Sequence, residues 1–161
     1  MFARSLFFVG LLLLAATSLY AQSAEETAVI ETVQAVFDGI NTKNTDLIRS
    51  VMTAEAILYS TSSDDGMPSH RFTSGEQFAV GIAGAEDEFH ERMFEYEIQV
   101  REGVALVWAN YDFHVAGKFS HCGVDTFSLV KTGGGWRVAS LTYTVERTGC
   151  PERPPIPGSD E

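Results

Sequence analysis

The stretch FSHCGVDTF, residues 119–127, sets His121, Cys122 and Asp125 within five positions. These are the residue types of a thiol nucleophile, its base and an orienting carboxylate. A strand would separate them, because successive side chains point to opposite faces. His121 and Cys122 then cannot form a nucleophile–base pair unless a bulge at Gly123 intervenes. His121 and Asp125, four residues apart, lie about 13 Å apart along a strand and are not a direct pair.

The preceding segment VALVWANYDFHV and this one are joined by Ala116-Gly117, which reads as a two-residue hairpin loop. Counting outward from that loop puts Asp112 opposite His121 and Trp108 opposite Asp125. Asn110, Asp112, His114, His121 and Asp125 are then expected on one face, with Tyr111, Phe113, Cys122, Val124 and Thr126 on the other. A carboxylate beside an imidazole raises its pKa and holds one tautomer, so Asp112 and His121 are a candidate general-base pair. The plain alternative is a cross-strand ion pair worth a few tenths of a kcal/mol. Asp125 beside Trp108 is a candidate proton-transfer carboxyl in an apolar pocket. Tyr59, Trp108, Asn110, Phe127 and Trp136 are the candidate pocket lining, although packing is the default role of such aromatic residues.

His70, His90, His114 and His121 show no zinc-hydrolase spacing, so no metal site is expected. The glycine run at 133–135 links two strands rather than opening a helix, which removes a phosphate cradle. No cofactor is implied.

The elements that must position these residues are legible upstream. Val29, Ile30, Val33, Val36, Phe37 and Ile40 recur at three- and four-residue spacing and predict a helix over 25–41. Asn44 or Thr45 caps a second, shorter helix to about Met52, and a strand follows at Ala56–Ser60. Residues 61–73 read as a loop with a short edge strand. Ser74-Gly75-Glu76-Gln77 is a capping box opening a third helix. From Arg92 onward four long strands follow, joined by Glu102-Gly103, Ala116-Gly117 and the glycine run. Helices first and a strand meander after predict an α+β domain, with N-terminal helices packed on one face of a curved antiparallel sheet.

The opening MFARSLFFVGLLLLAATSLYAQSA has one early positive charge, a short apolar core and small residues, the layout of a secretory signal peptide. Cleavage is expected after Ala21, with Ser23 or Ala24 as alternatives. The expected organisation is thus a signal peptide over 1–21, one domain over 22–149 and a disordered tail over 150–161. Removing the leader takes away Arg4 and moves the net charge from −11 to −12. That acidity argues against nucleic acid and membrane surfaces as partners. In an oxidising compartment the two cysteines, Cys122 and Cys150, are expected to form a disulfide, the alternative being a free thiol at each.

The order of elements resembles the NTF2-like superfamily, in particular its SnoaL-like and lumazine-binding branches. The opening IETVQAVFDGINTKNTDLIRSVMTAEAILYS and the closing YDFHVAGKFSHCGVDTFSLVKTGGGWRVASL carry the resemblance over residues 25–147. It implies a cone with a pocket between helices and sheet. A Tyr/Asp/Asp set of the ketosteroid isomerase type has no position-by-position match. The leading expectation is an exported domain, periplasmic or secreted, that binds a small apolar or aromatic molecule. The alternatives are an isomerase, cyclase or dehydratase using His121 or Asp125, and an interaction module. A homodimer is expected through the face carrying Tyr111, Phe113 and Val115.

Overall fold

The computed structural model describes residues 7–62 and 66–156, with side chains placed from Ala24 onward. In chain order the elements are α1 (Phe7–Asn41), α2 (Thr45–Val51), β1 (Met52–Ser62), β2 (Ser69–Ser74), α3 (Gly75–Gly84), β3 (Phe89–Arg101), β4 (Val104–Val115), β5 (Lys118–Thr132) and β6 (Gly135–Val145). The α+β class and the order of elements are as expected. The sheet, however, is mixed: its strand order is β2-β1-β6-β5-β4-β3, and β1 runs parallel to β6. Helix α3 carries the chain from β2 at one edge of the sheet to β3 at the other.

Helix α1 forms where the apolar stripe demands it. Val29, Val33, Val36, Phe37 and Ile40 are buried against the sheet, and the Phe37 ring meets that of Phe127 with centroids 6.0 Å apart. Glu25 ties the stripe's start to the sheet, accepting from Lys131 Nζ at 2.5 Å and Trp136 Nε1 at 2.9 Å. Asn44 caps α2, and the Ser74/Gln77 capping box opens α3 as the spacing requires. Ile48 of α2 packs so closely on α1 that a Cβ at Gly39 would strike its side chain. No helix among the described residues is long and apolar enough to cross a membrane.

The β4–β5 hairpin turns through Ala116 (φ 50°) and Gly117 (φ 75°), the left-handed pair a two-residue turn needs. Val115 faces Lys118 and His114 faces Phe119, in the expected register. Ser120 is then an extra residue, because the next partners are Phe113 with His121 and Asp112 with Cys122. The bulge therefore falls at Ser120 and not at Gly123. One extra residue turns over every β4 side chain relative to β5. His121 and Asp125 consequently share the inner face with Ala109, Tyr111 and Phe113, whereas Asn110 and Asp112 lie outside with Cys122 and Val124.

Cys122 is bonded to Cys150, with Cα atoms 5.9 Å apart and a sequence separation of 28. In the chain-entropy model, closing such a loop contributes about 3–4 kcal/mol. The tail expected to be disordered is held well past this bond. Arg92 Nη1 donates to the Pro154 carbonyl at 2.6 Å, and Arg153 makes a two-point contact with Glu95 at 2.7 Å on each arm. The Arg153 guanidinium also lies 4.0 Å from the Phe94 ring centroid. These contacts strap residues 150–154 across the outer face. Residues 157–161 lie outside the described part.

Candidate functional site

One end of the space between helices and sheet is filled by core side chains. The other holds a cavity of about 660 Å³. Its walls come from β1, β2, α3, the end of α1 and the inner faces of β3–β6. Phe89, Phe113 and His121 form one wall, with Phe89 and Phe113 centroids 5.2 Å apart and the His121 ring stacked on Phe113 at 5.0 Å. Tyr111 lies edge-on to His121 at 5.7 Å.

Tyr111 holds its place by crossing a strand. Its hydroxyl donates to the Thr144 carbonyl at 2.5 Å, near the end of β6, by passing over β5 at Gly123. A Cβ at Gly123 would collide with that carbonyl and with the Tyr111 ring. The glycine is required here by close approach rather than by a turn.

Two carboxyls close the floor. Asp125 on β5 is 2% exposed and Glu91 on β3 is 9% exposed, and both line the cavity. Asn41 at the end of α1 fixes Glu91: its Oδ1 accepts from the Glu91 backbone N–H at 2.7 Å, and its Nδ2 donates to the Glu91 carbonyl at 2.9 Å. A helix side chain thus satisfies the backbone of an edge strand at the residue whose carboxyl enters the cavity. Burial pushes the Glu91 carboxyl well above the ordinary carboxylate range, and the neighbouring acids Asp125 and Asp112 push it further. Burial does the same to Asp125. Desolvation opposes the charged form, and two like charges in one low-dielectric site oppose double ionisation. The pair therefore retains a proton where an exposed carboxylate would have lost it. The hydroxyls of Tyr111 and Tyr143 are likewise held protonated by burial.

His121 lines the same cavity, and its Nδ1 lies 3.0 Å from Ser120 Oγ. Desolvation, with a smaller contribution from Arg147, lowers its pKa. The imidazole is therefore neutral near pH 7. This is opposite to the shift expected from an adjacent Asp112.

Asp112 does not reach the cavity. It is buried on the outer face beneath the C-terminal strap, where Arg92 donates to its two oxygens at 2.9 and 2.5 Å. It is a structural anchor, and the Ser120 bulge is the reason. The expected pocket lining fares no better. Trp108 is 54% exposed on the outer face, and Tyr59 packs on Phe72 at 5.5 Å on the outer side of β1 and β2. Asn110 bonds Glu95 at 3.3 Å beside the strap. Phe127 and Trp136 do face inward but belong to the solid core under α1. Of the expected site residues, His121 and Asp125 meet in one cavity. Sequence reasoning does not reach Glu91: in FHERMFEYEIQV it is one of three glutamates, and nothing local distinguishes the one that faces in.

Neither a family model nor a curated protein matches the sequence. Solved structures do. An NTF2-like superfamily protein from Salmonella enterica superposes with a TM-score of 0.63 at 14% identity, covering 83% of this chain and 99% of that one. The chain has the NTF2-like fold. The Kfla4162 protein from Kribbella flavida is similar at a TM-score of 0.63 and 20% identity, covering 77% of this chain and 92% of its own. A protein of unknown function from Mycobacterium tuberculosis reaches 0.66 at 15% identity over 81% of this chain and 77% of that chain. In NTF2-like terms, the cavity is the mouth of the cone, and Glu91 and Asp125 are its floor.

Proposed function

We propose that this NTF2-like domain binds a small, largely apolar or aromatic molecule in the cone. A single observation carries the reading: a cavity of about 660 Å³ walled by Phe78, Phe89, Phe113 and Tyr143 ends on two buried carboxyls. A fold stabilised only by its core would fill this space, because voids of this size forfeit dispersion and transfer energy. Apolar walls with a few convergent polar groups are the usual make-up of a ligand site. The domain is read as exported, on the leader that ends at Ala21 and on the Cys122–Cys150 disulfide. Native mass spectrometry of protein purified from its own host should show a retained small molecule. An empty protein that also gives no cavity-residue shifts in NMR against aromatic fragments would sink the reading.

A second reading is proton-transfer chemistry, an isomerase, cyclase or dehydratase. It draws on a carboxyl held protonated at Asp125 and a neutral imidazole at His121 on one cavity, the acid and the base that proton transfer needs. Under this reading, Asp125→Asn abolishes turnover of a bound substrate.

A homodimer is retained as part of the proposal, on a different patch from the one expected. Tyr111 and Phe113 line the cavity, so the outer row Val104, Leu106 and Trp108 is the apolar surface that a second copy would cover.

A further inference from the structure

We propose that the Glu91 and Asp125 carboxyls form the recognition end of the cavity for an organic cation, a protonated amine carried on an aromatic or apolar body. This inference rests on the ligand-binding reading above and specifies the chemistry of the ligand.

Four other acidic side chains make the contrast. Asp112 is met by Arg92, Glu95 by Arg153, Glu76 by Arg49 and Glu25 by Lys131. All but Asp112 are substantially exposed and could have relied on water. Asp125 and Glu91, at least nine-tenths buried, have no cation and no donor beyond the proton they retain acting on their carboxyls among the described residues; burial perturbs both, and neighbouring acids perturb Glu91 further. Buried carboxyls without partners are costly, and a ligand that supplies donors and positive charge removes that cost on binding. An ammonium brings three donors to oxygens that only accept when ionised.

The walls fit the same ligand. Phe113, Tyr111 and Tyr143 put aromatic groups around the floor, which suits both a ring and an adjacent cationic group. Arg71 on β2 and Arg147 after β6 also line the cavity, and both are exposed. Their charges disfavour the cationic end beside them and orient the amine towards the buried carboxyls. An anion is met by these exposed arginines alone and repelled at the acidic floor.

Isothermal titration of the full, disulfide-intact chain with three indoles of matched shape tests this: tryptamine, tryptophol and indole-3-propionate. Tryptamine should bind about tenfold or more tightly than tryptophol, and indole-3-propionate weakest. Glu91→Gln and Asp125→Asn should each bring the tryptamine-to-tryptophol ratio towards unity, while Glu97→Gln on the outer face should leave it unchanged. Equal binding of tryptamine and tryptophol, or a preference for the propionate, overturns the cation assignment and leaves the pocket standing. Failure of all three to bind also overturns the cation assignment, and the pocket reading then stands or falls on the mass spectrometry and NMR above. The wild-type ranking requires no variant to fold.

Discussion

His121 lies directly opposite Phe113 across the β4–β5 pair, its ring stacked at 5.0 Å and 24° from parallel. That pairing exists because Ser120 is bulged out. It turns Tyr111 and Phe113 into the cavity and sends Asp112 to the far side. From Asn110 to Val115 polar and apolar residues alternate along β4, and the bulge brings Tyr111 and Phe113 onto the same inner face as His121 and Asp125.

Close approach at Gly123 is testable by substitution. Gly123→Ala places a Cβ against the Thr144 carbonyl and the Tyr111 ring, and should cost about 2 kcal/mol or more. Tyr111→Phe loses only one hydrogen bond, about 1 kcal/mol. Chemical denaturation of both variants decides: a Gly123→Ala protein as stable as wild type would mean that Tyr111 does not cross β5 there.

The floor carboxyls make stability depend on pH in a stated direction. Their folded pKa values lie above the unfolded ones, so their own contribution to the empty protein's stability is fully present where both states are protonated. It is lost as pH rises through the raised folded values. Tyr111, Tyr143 and His121 share the cavity, and the tyrosines stay protonated through this window. Asp125→Asn removes one titration and should raise the melting temperature at about pH 8 while flattening the profile. A variant that melts below wild type at that pH contradicts a buried, unpartnered carboxyl.

His121 should titrate below the ordinary histidine value, because desolvation and Arg147 both lower it. Asp112→Asn should leave the titration in place, since that carboxylate is on the opposite face. NMR of the imidazole protons against pH measures this. An upward shift in wild type, or a drop on losing Asp112, would restore the general-base pair and refute the observed register.

The dimer proposal predicts that Trp108→Glu sediments as a monomer at concentrations where wild type is dimeric, because a second copy would bury the new carboxylate unpaired. Phe113→Glu should leave the association intact and disturb the cavity instead. A wild-type chain that is monomeric at high concentration disposes of the idea.

The fold was legible because its signals are local and repeated. The stripe from Val29 to Ile40, the Ser74/Gln77 capping box and the Ala116-Gly117 turn each depend on residues within one or two turns of chain, and together they specify helices followed by strands. The two cysteines likewise pointed to their bond through their number and the compartment expected from the leader. Which face of β4 looks inward was not local. Ser120 carries no marker of a bulge, and shifting one residue exchanged Asp112 and Trp108 for Tyr111 and Phe113 at the site. Glu91 entered the cavity through Asn41, fifty positions away in sequence, a partner that no pattern in either strand or helix could name. Periodicity determines that a strand has two faces. Only packing against α1, α3 and the neighbouring strands decides which face loses its water, and with it which carboxyls acquire a chemistry.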